Sequence, residues 1–167
     1  GLRFYERKEV KDLLAYLRVL ANPNDEVSLR RIINFPKRGI GDRALEEVEL
    51  FAVAQGISFW HALLRVTEAT AVPNKAAQSI SQFTAMLTAL AVLVEAKTKP
   101  SVIIEAALEQ SGLLTEIKTT NTKIADPVVT IADYTLTSQD NKDRGIEFRW
   151  YDSSLATPAA KVGFFGF

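Results

Sequence analysis

Apolar positions in the N-terminal part of the chain recur every three or four places. Between Glu6 and Ala21, Val10, Leu13, Leu14, Leu17 and Leu20 share one helical face, and the run NPND then ends the pattern, so the spacing predicts a helix over 6–21. Asp25 is placed to cap a second, shorter helix carrying Val27, Leu29, Ile32 and Ile33. That helix ends near Phe35, because the ring of Pro36 disfavours helical geometry in the residue before it. A third helix is predicted from an N-cap at Asp42 to about Ala54, with Leu45, Val48 and Phe51 or Ala52 inward and Gly56 as its terminator. Ser58 caps the short amphipathic piece FWHALLR, and after a loop around Pro73 a long helix runs from about Lys75 to Lys97 on the stripe Ile80, Phe83, Leu87, Leu90 and Val94. Pro100 and Ser101 open a further helix over VIIEAALEQSG, which Gly112 stops.

Past about Lys118 the helical period is lost. KTTNTKIADP reads as a polar linker, which places a boundary at 118–127 and divides the chain into a helical unit over 1–118, a linker over 119–127 and a β-rich tail over 128–167. VVTIADYTLT reads as a strand and SQDNKDRG as a turn, while IEFRWY alternates Ile146, Phe148 and Trp150 with Glu147, Arg149 and Tyr151, the period of a half-buried strand. A hairpin is expected there, with KVGFFGF as a third strand whose aromatics need a partner surface. The fold class is therefore mainly α with a small C-terminal β hairpin or three-stranded appendage.

Charge changes this picture locally rather than globally. Among 167 residues, 20 basic and 20 acidic side chains cancel, so an overall basic excess of the kind that marks a non-specific duplex binder is absent and any nucleic-acid surface is a local patch. Residues 1–43 hold ten Lys or Arg against six Asp or Glu, a difference of +4. Without cysteine, disulfides, thiolate nucleophiles and cysteine zinc sites are excluded. The most apolar stretch, FTAMLTALAVLVEA at 83–96, is too short and too broken by Thr and Glu to span a bilayer, so a soluble, cytoplasmic protein without a membrane partner is expected. A start at Gly1, with no initiator methionine, suggests an excised fragment or a processed product.

The candidate chemistry lies in PKRGIG, between the second and third helices. A short Gly-containing turn there leaves backbone N–H groups open at the start of the third helix, where the partial positive charge favours an anion. Gly39 and Gly41 permit close backbone approach, Lys37 and Arg38 add charge beside the same spot, and Arg43 flanks it. A helix-hairpin-helix element holds a phosphate in this way, reading the duplex backbone and not its bases. Spacing alone favours a plain αα turn in which the glycines reverse the chain and the cations are solvated, and the local charge excess tilts the balance back only a little.

A resemblance adds to the spacing. GLRFYERKEVKDLLAYLRVLANPNDEVSLRRIINFPKRGIGDRALEEVELFA resembles the start of the 2B subdomain of UvrD/PcrA/Rep-type superfamily 1 DNA helicases, from that family's F-Y-E-R-x-E-x-K-D segment onward. The likeness is continuous through about Ala54 and looser, through SFWHAL and VIIEAALEQSGLLTEI, to about Lys118. It implies a helical subdomain, inserted into the second motor domain, that swivels between open and closed arrangements and touches duplex DNA through its GIG turn. It thereby places the duplex contact at Lys37, Arg38, Gly39, Ile40 and Gly41. The same family unwinds DNA in the 3′-to-5′ direction with ATP and Mg, and this chain has neither a phosphate loop ending in Gly-Lys-Thr or Gly-Lys-Ser nor an Asp-Glu pair following a strand. No ATPase activity and no cofactor of its own are therefore expected, and the partners implied are double-stranded DNA and the parent's motor domains. The tail departs from the family, which would continue with another acidic, Leu-rich helix; TIADYTLTSQDNKDRGIEFRWYD and KVGFFGF bear a faint resemblance to β-rich segments of phage virion proteins.

Other candidates are weaker. His61 has no second His and no Cys for a metal, and reads as structural. Glu46, Glu47 and Glu49 imitate a carboxylate cluster, but acids in the first turns of a helix complement its dipole. Lys8 and Asp12 form an ion pair at helical spacing. Phe148, Trp150, Phe164, Phe165 and Phe167 could stack on single-stranded bases, with only Lys142, Arg144, Arg149 and Lys161 to follow a backbone, and core or interface filling is the plainer use. The sequence thus reads as a duplex-contacting regulatory module of a helicase. The rival reading is a structural or assembly protein whose β tail mediates subunit contacts.

Overall fold

The computed structural model describes residues 6–120 and, as backbone, two strands at 145–152 and 159–166. Helix α1 (Lys8–Ala21) starts two residues later than the spacing predicts, and its buried face is Asp12, Leu13, Ala15, Tyr16 and Val19, with Leu17 and Leu20 packed at the edge. The apolar stripe therefore has a polar residue at each end of its centre, Asp12 and the Tyr16 hydroxyl, and both require partners when buried. Helix α2 (Glu26–Ile32) begins as predicted at Asp25, whose Oδ1 accepts from the Ser28 amide at 3.1 Å and whose Oδ2 accepts from the Ser28 hydroxyl at 2.7 Å. Its inner face is Leu29, Ile32 and Ile33, whereas Val27 is 83% exposed. The chain then passes through a cis Phe35–Pro36 peptide into the turn.

Helix α3 (Asp42–Gln55) is capped by Gly41 and not by Asp42, which is its first helical residue, and no side chain accepts from its first amides. Ala44, Val48 and Ala52 face inward, and Gly56, at φ 63, ends the helix. Helix α4 (Phe59–Leu64) is capped by Ser58, and a 3₁₀ turn at Val66–Glu68, which the sequence pattern does not reveal, leads on. Helix α5 (Asn74–Glu95) buries Ile80, Phe83, Leu87 and Leu90, but Val94 is 37% exposed and lies outside the core. At 22 residues and mean hydropathy 1.5, α5 is long and apolar enough, by length and composition, to cross a membrane, unlike the shorter stretch judged from the sequence. Its apolar face is instead a core face, packed against α1, α4, the 3₁₀ turn and α6 (Pro100–Gln110). Helix α7 (Leu113–Thr120) follows Gly112 and runs past the boundary expected at 118.

Short helices of seven residues (α2) and six (α4) are marginal by themselves, so packing holds them. Leu29, Ile32, Leu63, Ile80, Leu90 and Ile104 are each within 1% of full burial, and each such side chain contributes roughly 1.5–3 kcal/mol. Strands β1 (Gly145–Asp152) and β2 (Ala159–Gly166) pair antiparallel, with Gly145 opposite Gly166 and Asp152 opposite Ala159. The strand expected at 128–137 and the turn expected after it lie outside the described residues.

Candidate nucleic-acid interface

The connection between α2 and α3 is organised by a side chain that precedes it. Asn34 Oδ1 accepts from the amides of Arg38 at 2.9 Å and Ile40 at 3.2 Å, folding the loop back over the end of α2. Asparagine suits this role because its short carboxamide can bond to nearby backbone amides and so imitate a turn. Ile40 is 1% exposed and anchors the far side of the turn in the core, so its side chain is not available to an external partner. Between them Gly39 adopts φ 75, a left-handed conformation that costs a residue with a Cβ.

Outward, the turn is open. Among the described residues the amides of Gly39, Gly41, Asp42 and Arg43 have no hydrogen-bond acceptor, and Lys37, Gly39, Gly41, Asp42 and Arg43 are all exposed. A Cβ at Gly41 would meet nothing within 4 Å, so internal packing does not demand glycine there. Open amides at the first turn of a fourteen-residue helix, with exposed Lys37 and Arg43 beside them and the exposed carboxylate of Asp42 opposing, leave a net excess of positive groups that suits an anion.

Arg38 is placed differently from its neighbours. Its Nη1 donates to the carbonyl oxygens of Ile32 (2.9 Å), Ile33 (3.2 Å) and Pro36 (3.2 Å). Its Nη2 donates to the Tyr16 hydroxyl (2.8 Å) and to the Ser111 carbonyl (2.9 Å), and the guanidinium lies 5.0 Å from the centre of the Phe83 ring. The Tyr16 hydroxyl in turn donates to the Phe35 carbonyl at 2.7 Å. Burial pushes the Tyr16 phenol up from its usual value, with Arg38 partly opposing. Arg38 thus faces the protein, not the solvent side of the turn where the sequence reading placed its charge. Tyr16, Asn34 and Ser111 were not singled out from the sequence; the one available signal was a tyrosine on the apolar face of α1, whose hydroxyl needs a partner when buried.

The remaining candidates resolve into structural roles. Asp12, 3% exposed, accepts from Lys8 Nζ at 3.1 Å, as its spacing predicts, and also from Arg31 Nε at 2.8 Å, so it ties α1 to α2. Lys8 Nζ also lies 3.3 Å from the centre of the Phe35 ring, just before the turn. Glu49 pairs with Arg30 at 3.1 Å, and Arg30 also pairs with Glu26 and lies over the Phe59 ring, so Glu46, Glu47 and Glu49 are not a convergent carboxylate site. His61 Nδ1 is 2.7 Å from Ser58 Oγ, and its amide donates to the same oxygen. Among the described residues no group of three or more His, Asp or Glu side chains could hold a metal. The tail aromatics lie outside the residues whose side chains are described.

The family model described as UvrD-like helicase C-terminal domain matches residues 1–61, a span that contains the whole α2–α3 turn. Individual relatives agree. The chain is 46% identical over 121 residues to the ATP-dependent DNA helicase UvrD1 of Mycobacterium leprae, covering 71% of this chain and 15% of that protein. It is 45% identical over 87 residues to the ATP-dependent DNA helicase PcrA of Bacillus subtilis, covering 52% of this chain and 12% of the relative. Against PcrA of Staphylococcus aureus the figure is 56% over 63 residues. These matches support a UvrD/PcrA-type helicase segment that is mainly helical, and the chain spans about 15% of the length of UvrD1.

Proposed function

We propose that this chain is a 2B-like, duplex-contacting regulatory subdomain of an ATP-dependent 3′-to-5′ DNA helicase, and that it grips the phosphate backbone at the α2–α3 turn. The observation that carries the reading is the open turn itself: unoccupied amides at Gly39 and from Gly41 to Arg43, with Lys37 and Arg43 exposed beside them. Duplex DNA is the anion favoured because the relatives are named as DNA helicases. The contact reads no base sequence, since backbone amides and flexible cations meet only phosphate oxygens. In this reading the turn positions DNA for motor domains, which hold the ATP and Mg of the parent enzyme in the cytoplasm, and the isolated chain hydrolyses no ATP.

The test is fluorescence anisotropy of a labelled random-sequence duplex titrated with the chain at about 20 and about 200 mM salt. Binding that weakens by ~0.9 log unit per neutralised phosphate for each tenfold rise in salt supports the reading. Absence of binding at the lower salt argues against a duplex contact by this chain.

A second reading draws on the antiparallel β1–β2 pair, taken as a C-terminal appendage. Two strands alone are marginal in water and gain stability from a further surface, which suits a role in subunit contacts. Removal of residues 121–167 would then lower the oligomeric state on a sizing column, whereas the duplex contact would survive the same truncation.

A further inference from the structure

Arg38 lies in the middle of the proposed duplex contact, yet its five hydrogen bonds all point inward. The acceptors come from four separate places: the end of α2, the Pro36 carbonyl within the turn, the Tyr16 hydroxyl on α1, and the Ser111 carbonyl 73 residues away at the α6–α7 corner. The planar fork of an arginine suits this because it offers several N–H donors in fixed directions, which an ammonium cannot. The same corner lies close to the turn, since even a Cβ added at Gly112 would come within 3.7 Å of Pro36 Cγ. To reach a phosphate, Arg38 would have to give up all five bonds together; the Tyr16 hydroxyl would keep the Phe35 carbonyl and the Ile32 carbonyl would keep the Phe35 amide, but the carbonyls of Ile33, Pro36 and Ser111 would lose their guanidinium donor.

We infer that Arg38 is a positioning residue and not a phosphate ligand: it ties the α2–α3 turn to α1 and to the α6–α7 corner, and Lys37 and Arg43 are the side chains that meet the phosphates. The inference rests on the proposed duplex contact and deepens it. It also makes the site depend on Ser111 and Gly112, which lie beyond the segment matched by the family model at residues 1–61.

The first arm of the test uses the unaltered chain and no DNA. A small 1,2-dicarbonyl that modifies arginine, read by peptide mass spectrometry, should label Arg43 readily and Arg38 slowly. Equal labelling of the two would overturn the staple. The second arm repeats the labelling with a random-sequence duplex, which should protect Arg43 and leave the slow rate at Arg38 unchanged. The third arm compares variants by the slope of log affinity against log salt. Lys37→Gln should reduce the slope by ~0.9, the value for one phosphate. Arg38→Gln should lower affinity by the same factor at every salt and leave the slope intact, and the charge-retaining Arg38→Lys should fail to restore affinity. Full rescue by lysine, or a slope reduced by ~0.9 in Arg38→Gln, would make Arg38 a phosphate ligand and overturn the inference. Tyr16→Phe removes one acceptor without touching charge and should weaken binding with no change of slope; unchanged affinity would count against the staple. If the parent chain binds no duplex at all, the proposed function fails, and the labelling contrast without DNA still decides the staple.

Discussion

Two turns, one on each side of α3, solve the same problem in opposite ways. Both reverse the chain between helices and both place a glycine in left-handed geometry, Gly39 at φ 75 and Gly56 at φ 63. In the α3–α4 turn the chain satisfies itself. The Gly56 amide donates to Val53 at 3.2 Å, the Ile57 amide donates to Ala52 at 3.0 Å, and Ser58 Oγ accepts the His61 amide at 3.2 Å. In the α2–α3 turn the inner side is held as firmly, by Asn34, Arg38 and Ile40, but the N-cap Gly41 has no side chain to accept a hydrogen bond and the amides at the start of α3 stay open. A helix that merely needed to begin would gain stability from a serine or aspartate at that position. An open start on a rigid base is the arrangement that leaves room for an external anion.

The contrast can be broken most severely by charge. Lys37→Glu with Arg43→Glu should abolish duplex binding at about 20 mM salt, because both exposed cations flanking the open amides become repulsive. Far-UV circular dichroism should stay unchanged, since neither side chain is buried. Binding that survives in a folded double variant would place the contact elsewhere.

The closed turn is the next target. Ser58→Ala removes the acceptor of the His61 amide and should destabilise the chain by about 1 kcal/mol, read as a lower urea midpoint, with duplex affinity unaffected. A parallel loss of binding would show that the two turns are not independent.

A smaller effect is expected from pH. The folded-state pKa of Tyr16 is raised above its usual 10.0, so the stability tied to its neutral form is complete below that value and is lost as pH rises through the higher folded pKa. Thermal melts should therefore show a decline above about pH 10, and Tyr16→Phe should flatten that decline while lowering stability at neutral pH. An identical alkaline decline in the variant would mean that other groups govern it.

The smallest change converts one turn toward the other. Gly41→Ser supplies the missing cap in open space, at a position with φ −82 and ψ 167 that suits an N-cap. Stability should rise by a few tenths of a kcal/mol. Duplex affinity should fall, because the new hydroxyl competes for the amides a phosphate would use. A variant that is stabilised and binds as before would remove the helix start from the contact.

Much of this was legible in the chain because it is local. Spacing and end signals located α1 to α6 but not α7, and on α1 they placed Val10 and Leu14 inward where Ala15, Tyr16 and Val19 are buried instead; Asp25 and Ser58 announced their own helices as caps, and the glycines marked both turns. The errors came where local rules compete. Asp42 has the chemistry of an N-cap, but Gly41 takes the position, since Ile40 must reach the core one residue earlier. Val94 continues the stripe of α5 by spacing, yet it is 37% exposed, so the core does not follow the helix to its end. What could not be read was the direction of Arg38. Two of its acceptors sit at positions 16 and 111, and only the fold brings a tyrosine and a carbonyl that far apart in sequence to one guanidinium. Lys37 and Arg38 look equivalent as neighbours in a string and have opposite placements in space.

The central claim, that the α2–α3 turn is open for phosphate and the α3–α4 turn is not, is tested most directly by amide NMR. A ¹⁵N-labelled chain titrated with a short random-sequence duplex should shift the amide signals of Gly39, Gly41, Asp42 and Arg43 and leave those of Gly56, Ile57 and Ser58 in place. Shifts centred on Gly56–Ser58, or on residues far from both turns, would contradict it.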